Sequence, residues 1–189
     1  MGHTVGHRYL ICPTFSDSLL SIRTRLTVKF IELILCPLLF AATLAHAQTP
    51  LSLVVDGNIT NINDPAQHAY RFNEAELLAL PAATITTTTN WTPKQSFSGP
   101  KLSAVLARVG AKGKQLSVCA IDDYCQDIPV SDIDTYGVIL AATQDGKRLE
   151  VRNFGPLWVM YPRDAYPQEL NTATYVSRFI WQVNKMTVK

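Results

Sequence analysis

Short apolar runs separated by polar turns cover most of the chain from about residue 51 to the C-terminus. Residues 51–55 form a β-prone run that ends at the turn signal Asp56-Gly57, and residues 84–89 are a run of β-branched side chains. Residues 115–121 alternate between apolar and polar positions, which predicts a strand with one buried face. These three segments indicate a domain that is rich in β-structure.

Two further runs, residues 137–142 and 157–161, are continuously apolar, which is typical of strands buried on both faces. Asp145-Gly146 lies between them and predicts a hairpin turn. The C-terminal tract, residues 175–188, is also rich in β-forming residues and is interpreted as strand.

Helix signals are confined to two short segments. Asn73 precedes an acidic turn and predicts the N-cap of a helix that runs through Leu80 and stops at Pro81. A second helix is predicted to start at Ser98-Gly99-Pro100 and to end at Gly110 as a C-cap. The apolar residues of this helix recur at helical spacing: Leu102, Val105, Leu106 and Val109.

Strands therefore outnumber helices, and no regular βαβ alternation is visible. This pattern predicts an α+β fold with a mixed or antiparallel β-sheet and a few short helices. The absence of a Pro/Ser-rich linker favours one domain over residues 48–189.

The first 47 residues have the pattern of a cleaved signal peptide. Residues 33–45 form an apolar run that is too short to cross a bilayer, and Ala45-His46-Ala47 offers the small residues that a signal peptidase recognises. We expect cleavage after Ala47, a periplasmic location and no transmembrane segment in the mature chain. The alternatives are an uncleaved N-terminal anchor and a lipid anchor on Cys36, although the preceding Leu35 is large for lipoprotein processing.

Composition narrows the classes of function. The chain is 47% hydrophobic and only 17% charged, which argues against intrinsic disorder. Of its 17 basic and 15 acidic residues, four and two lie before residue 48, so the remainder is balanced at 13 of each. That balance provides no basic surface for nucleic acid or for an anionic membrane, and we expect neither as a partner.

Cleavage of the leader would leave Cys119 and Cys125 as the cysteines of the mature chain. In an oxidising compartment this pair is a candidate disulfide, and free thiols are the alternative. Metal ligation is a third interpretation, but two cysteines without a nearby histidine make a poor site.

Catalytic motifs are scarce in the predicted mature chain. His68 is its single histidine, so no nucleophile–histidine–acid set can be assembled, and no Gly-rich phosphate loop is present. One acidic segment could bind a cation such as Ca²⁺, but its spacing fits no EF-hand, and a solvated loop with capped turns is the alternative. The carboxylates of that segment are Asp122, Asp123, Asp127, Asp132 and Asp134.

The order of motifs from Phe97 onward resembles a known family. The segments are FSGPKLSAVLARVGA, LSVCAIDDYCQDIPVSDI, GVILAATQDGKRLEVRNFGPLWVMYP and RFIWQVNKMTV. Their order is similar to that in the oxidoreductase molybdopterin-binding domain of the sulfite oxidase superfamily, in particular its small, stand-alone exported members. Upstream, PLSLVVDGNI and FNEAELLALP fit as well, so the resemblance covers nearly all of residues 50–188. It implies a sulfite-oxidase-like molybdopterin-binding fold.

The resemblance also implies a molybdenum ion held by a pterin dithiolene and by one protein cysteine, since soft thiolates suit such a centre. In relatives with this layout the cysteine lies four residues before a tryptophan. Here that tryptophan is Trp91, and Thr87 occupies the cysteine position. The family implies export of the folded, loaded enzyme through a twin-arginine leader, whereas Arg23-Thr24-Arg25 is not a twin pair.

The resulting hypothesis is a periplasmic pseudoenzyme that lacks the metal-ligating cysteine and acts as a binding, sensor or accessory module. Its partner would be an unidentified small ligand or a periplasmic protein, and no cofactor is expected, although the resemblance allows molybdopterin. If the family geometry holds, the former cofactor groove contains Thr87, Trp91, Asp123 and Tyr124. The alternative is an active molybdopterin-dependent oxidoreductase of the sulfite oxidase family with an unusual ligand set.

Overall fold

The computed structural model describes residues 50–189, so the predicted signal peptide, residues 1–47, lies outside the described part of the chain. The described residues belong to one compact unit. None of the helices they form is long and apolar enough to cross a membrane. The structure has the mixed sheets and few short helices that the sequence pattern predicts.

The strands are, in chain order, β1 (Leu53–Gly57), β2 (Tyr70–Phe72), β3 (Ala82–Thr87), β4 (Gln95–Pro100), β5 (Gln115–Ala120), β6 (Cys125–Pro129), β7 (Ile139–Ala141), β8 (Thr143–Gln144), β9 (Lys147–Arg148), β10 (Trp158–Met160) and β11 (Val183–Val188). The α-helices are α1 (Glu74–Leu78), α2 (Leu102–Val109), α3 (Val130–Tyr136), α4 (Pro167–Leu170) and α5 (Ala173–Ser177).

Three sheets organise the described residues. The largest has the order β2-β1-β11-β5-β6, in which β1 and β11 are parallel and the other neighbours are antiparallel. A second sheet has the order β3-β4-β8-β9, and β7 pairs with β10 in a third. The backbone bond from Ala142 N–H to the Ser98 carbonyl, 2.9 Å, joins the segment after β7 to β4, so the second and third sheets adjoin.

Both predicted helices are confirmed, and the buried face predicted for the second helix is confirmed as well. Asn73 and Glu76 form a complete capping box at the start of α1, which stabilises this short helix. All four apolar residues predicted for α2 are buried, and Gly110 ends it in the left-handed conformation with φ of 62°. Both helices could be predicted from sequence because each has a capping residue, Asn73 or Gly110, directly beside its apolar positions.

The predicted start of α2 is wrong. The tripeptide Ser98-Gly99-Pro100 completes strand β4, and α2 begins after Lys101. Gly99 is required there by packing, since a Cβ at this position would lie 2.1 Å from the Leu140 carbonyl oxygen. The proline therefore ends a strand instead of beginning a helix.

The interpretation of the C-terminal tract as strand is correct only for its last part. Residues 173–177 form α5 and residues 183–188 form β11. Thr172 caps α5 by accepting a bond from the Tyr175 N–H at 3.4 Å. This cap lies in a polar turn before the tract, so the β-forming composition of the tract concealed it.

The predicted Asp145-Gly146 turn exists, with φ of 48° and 74°, but it joins β8 to β9. The two continuous apolar runs instead pair with each other directly as β7 and β10, and each strand is fully buried. Their burial on both faces agrees with the prediction. The core of the domain includes Trp158 and Tyr161, its two largest fully buried side chains.

Candidate functional site

A groove of about 700 Å³ lies between the β3–β4 loop, the β5–β6 turn and the segment around α5. It is open to solvent along one side and combines aromatic, amide and charged side chains. Its lining includes Asn90, Trp91, Asp122, Tyr124, Arg163 and Trp181. Its size lies within the range of small-molecule binding sites in proteins.

The aromatic wall of the groove is formed by Trp91 and Trp181, whose ring centroids lie 4.7 Å apart in an edge-to-face arrangement. Behind them lies the buried Trp158, whose ring centroid is 6.3 Å from that of Trp91 and 6.5 Å from that of Trp181. Trp91 is nevertheless 41% exposed, and Tyr124 on the β5–β6 turn is 49% exposed. Large aromatic side chains that are held from behind and exposed in front are suited to contact a ligand.

The loop that carries Trp91 is held by its own threonine turn. The Thr89 hydroxyl accepts hydrogen bonds from the backbone N–H groups of Trp91 and Thr92, at 3.1 and 2.9 Å. A threonine side chain that accepts from the backbone two or three residues later fixes a tight turn. The position of Trp91 is therefore set locally as well as by its contact with Trp181.

A second set of bonds joins the end of β3 to the segment after β10. The Thr87 hydroxyl accepts a bond from the Asp164 N–H at 3.1 Å. In return, the Asp164 carboxylate accepts bonds from the N–H and hydroxyl of Thr88, at 3.1 and 2.6 Å. This Thr87–Thr88–Asp164 clamp holds Asn90 and Arg163 opposite each other at one edge of the groove.

The Asp164 carboxyl group carries its charge within this clamp. Partial burial raises its pKa, but the hydrogen bonds from Thr88 and the ammonium of Lys94, 3.5 Å away, lower it by more. The net pKa of Asp164 lies below the ordinary value of 3.8. The carboxylate is therefore ionised at neutral pH and is engaged by Thr88 and Lys94.

Arg163 is held by two neutral side chains. Its guanidinium donates to the amide oxygen of Asn90 at 2.6 Å and to that of Asn171 at 2.5 Å. No carboxylate of the described residues forms an ion pair with it. An arginine guanidinium has five N–H donors, so donors remain for a ligand.

Asp122 and Tyr124 come from the turn between β5 and β6. Cys119 and Cys125 stand opposite each other on these strands and are joined by a disulfide with a Cα–Cα distance of 4.1 Å. Asp123 has φ of 65°, and the Asp122 carboxylate accepts a bond from the Tyr124 N–H at 3.2 Å. The disulfide thus closes the base of the turn that carries one side of the groove.

The structure brings together two of the four residues predicted for the groove. Trp91 and Tyr124 line it, whereas Thr87 is fully buried in the clamp and Asp123 stands at the tip of the turn beside the lining residue Asp122. Sequence reasoning missed the residues that the fold adds: Asn90, Asp122, Arg163, Asn171 and Trp181. Arg163 lies 72 positions after Trp91, and no local motif marks it.

The acidic segment does not gather into a cation site. Asp127 pairs with Lys189 at 2.9 Å, and Asp132 lies in α3, where it pairs with Arg178 at 2.7 Å. Within residues 50–189, no group of three or more histidine, cysteine, aspartate or glutamate side chains is arranged to hold a metal ion. Asp127 and Asp132 serve separate ion pairs, and Asp122 accepts a bond from the Tyr124 N–H within its turn.

The donor set does not fit the molybdenum centre that the family resemblance implies. Such a centre requires a free thiolate from the protein. Both cysteines of the described residues are joined to each other, and the Thr87 hydroxyl accepts a bond from the backbone inside the clamp. Residues 50–189 therefore offer no free thiolate for such a centre.

A second arrangement of aromatic and charged side chains lies on another face of α5, and we refer to it as the tyrosine cluster. Its members are Asp132, Tyr136, Tyr161, Tyr175 and Arg178. Arg178 pairs with Asp132 and lies over the Tyr175 ring at 4.7 Å. The hydrogen bond with Tyr175, together with burial, raises the pKa of Tyr136 to about 12, and burial raises the pKa of Tyr161.

Comparison with known proteins identifies the fold. No protein-family model matches the chain, and no curated protein matches it. Among solved structures, it is similar to the sulfane dehydrogenase SoxCD from Paracoccus pantotrophus, with 17% identity and a TM-score of 0.56. The match covers 72% of this chain and 37% of that one, so the chain spans little more than a third of the enzyme's length. The described residues therefore share their fold with part of a sulfane dehydrogenase.

Proposed function

We propose that this chain is an exported binding module with a molybdopterin-binding oxidoreductase-like fold that has lost the metal-ligating cysteine. In this proposal the groove takes a small ligand, and the protein serves as a periplasmic sensor or accessory subunit. The fold likeness to a sulfane dehydrogenase and the order of motifs both support descent from the sulfite oxidase superfamily. Likeness of fold alone does not carry an activity with it.

The observation that carries the proposal is the contrast between Thr87 and the groove. Thr87 stands where the family resemblance places the thiolate, yet its hydroxyl is fully buried and engaged by the Asp164 backbone. The neighbouring groove, in contrast, has exposed aromatic rings and a guanidinium, that of Arg163, which forms no ion pair with a carboxylate of residues 50–189. A threonine at the expected thiolate position, beside an open groove, supports binding over catalysis in this proposal.

Two measurements test this proposal on protein recovered from the periplasm of its native host. Elemental analysis and pterin fluorescence after oxidation should find neither molybdenum nor pterin in stoichiometric amount. A ligand screen read by intrinsic fluorescence should find compounds whose binding is lost in Trp91→Ala. About one molybdenum and one pterin per chain would overturn the proposal, as would a screen without any Trp91-dependent ligand.

The fold likeness to a dehydrogenase favours one alternative, an active molybdopterin-dependent oxidoreductase with an unusual ligand set. That alternative predicts stoichiometric molybdenum that is lost in Thr87→Ala. The matched control is Thr86→Ala, because Thr86 lies on the same strand with an exposed side chain. Equal metal content in both variants would exclude Thr87 as the ligand.

A further inference from the structure

The groove carries one positive and one negative side chain that do not neutralise each other. Arg163 is held by amide oxygens at one edge, and Asp122 lies on the β5–β6 turn. No ion pair within 4.0 Å joins them, and neither has another charged partner among residues 50–189. Both charges are therefore available to a ligand.

The neighbouring charges do not remove this availability. Asp164 is adjacent to Arg163 in sequence, but its carboxylate is engaged by Thr88 and by Lys94. Among the described residues that line the groove, Asp122 and Arg163 are the two with charged side chains. The groove thus has one available charge of each sign.

Each charge has a preferred partner. A guanidinium fork binds a carboxylate through charge-assisted hydrogen bonds, and it is strongest when its orientation is already fixed. Asn90 and Asn171 fix the orientation of Arg163 before any ligand arrives. A carboxylate on an exposed turn, such as Asp122, is a matching partner for an ammonium group.

Aromatic side chains line the groove beside Arg163 and Asp122. Trp91, Trp181 and Tyr124 line the same groove as Arg163 and Asp122. Their rings can cover an apolar or aromatic side chain and can also attract a cation over a ring face. A ligand that satisfies the whole groove therefore has an anionic end, a cationic end and an apolar body.

We propose that the groove binds an apolar or aromatic amino acid in zwitterionic form, either free or as a short peptide. The carboxylate binds Arg163, the ammonium binds Asp122, and the apolar side chain packs against Trp91 and Trp181. This inference rests on the proposed function, because it names the ligand class of the same groove. Free amino acid and short peptide share this chemistry, and the test separates them.

The first test uses calorimetry on the mature chain at neutral pH with matched probes. The probes are phenylalanyl-phenylalanine, its N-acetylated form, its C-terminal amide, the doubly blocked form and free phenylalanine. We expect each singly blocked peptide to bind at least about tenfold more weakly than the zwitterion, since each loses one ion pair in a partly closed site. If free phenylalanine binds as tightly as the dipeptide, the source is an amino acid, and if it binds more weakly, the source is a peptide.

The second test assigns each end of the ligand to one side chain. Arg163→Gln should weaken the zwitterion and the N-acetylated peptide by about tenfold and leave the amide within about twofold. Asp122→Asn should show the opposite selectivity. The controls are Arg152→Gln and Asp134→Asn, two exposed charges outside the groove, which should change no affinity.

Three results would overturn the inference: no binding of any probe at millimolar concentration, equal affinity of blocked and unblocked peptides, or affinities insensitive to both groove variants. The proposed function would survive these results if the fluorescence screen still finds ligands that require Trp91. It fails separately if molybdenum and pterin are present. The two failures are therefore distinguishable.

Discussion

The groove and the tyrosine cluster are built from the same kinds of side chain with opposite outcomes. Each combines aromatic rings with one arginine and one aspartate, and α5 contributes to both. In the tyrosine cluster, Arg178 and Asp132 are paired at 2.7 Å with side-chain exposures of 15% and 12%. In the groove, Arg163 and Asp122 have no charged partner among residues 50–189. In the tyrosine cluster, Arg178 and Asp132 neutralise each other, whereas the charges of Arg163 and Asp122 in the groove stay available to a ligand.

Helix periodicity explains how α5 serves two regions. Ala173, Val176 and Ser177 recur at intervals of three and four and line the groove. Tyr175 and Arg178 are three apart and face the tyrosine cluster. The comparison therefore predicts that charge changes in the cluster act on stability, while those in the groove act on binding.

The largest effect is expected from Asp132→Ala. This change leaves Arg178 without its partner and removes the acceptor of the Tyr161 hydroxyl, so the free energy of unfolding should fall by about 3 kcal/mol. Urea denaturation monitors the loss, and Asp134→Ala, at an exposed position of the same helix, is the control. By contrast, Arg163→Gln should cost less than about 1 kcal/mol. Equal losses at Asp132 and Arg163 would show that the groove arginine is structural.

Removal of the disulfide ranks next. Cys119→Ser with Cys125→Ser opens a small loop and should lower the free energy of unfolding by about 2 kcal/mol on the chain-entropy model. Because this loop carries Asp122 and Tyr124, ligand affinity should fall as well. The same loss should follow reduction of the unmodified protein with dithiothreitol, and the serine variant should not respond to the reductant. If ligand affinity is unchanged after reduction, the β5–β6 turn does not contribute to binding in the groove.

Thr87→Val tests the clamp beneath the groove. Valine keeps the shape but leaves the Asp164 N–H without its acceptor, so we expect a loss of about 1–3 kcal/mol in the free energy of unfolding. Thr87→Ser keeps the hydroxyl and should recover most of this loss. If valine is tolerated as well as serine, the buried hydroxyl does not hold the clamp.

The smallest effect concerns pH and Asp164. Its folded-state pKa lies below the ordinary value of 3.8, so its contribution to stability is present above that value and is lost as the pH falls through the lowered pKa. Acid titration of stability should therefore be shallower in Asp164→Asn than in the wild type. The difference between the two proteins should be largest at neutral pH and should shrink as the pH falls below 3.8. Parallel curves would assign the acid response to other carboxylates.

Much of the fold could be predicted from local patterns. The capping box at Asn73, the apolar face that ends at Gly110 and the continuous runs of β7 and β10 each follow from neighbouring residues. The strand character of Ser98-Gly99-Pro100 could not, because it depends on the close approach of the Leu140 backbone to Gly99. The helix α5 was hidden within a tract whose composition favours strands.

The groove illustrates the same limit. The family resemblance predicted Trp91 and Tyr124 in a former cofactor groove; both line the groove of the structure, and its history as a cofactor site stays a prediction. Arg163 and Trp181 were not, since they reach the groove only through the pairing of distant strands. Asp122 lines the groove instead of the expected Asp123, which has φ of 65° in the same turn.

The sequence by itself determined that residues 48–189 are charge-balanced and have an α+β pattern. From the same sequence, the export leader and the replacement of a family thiolate by Thr87 stay predictions. These properties are local: they depend on composition, on periodicity and on the residue at one position. Only the tertiary structure decided which arginine is paired and which is available, because ion pairs join residues far apart in the chain. The Arg178–Asp132 pair spans 46 positions and the Arg163–Asn90 contact spans 73.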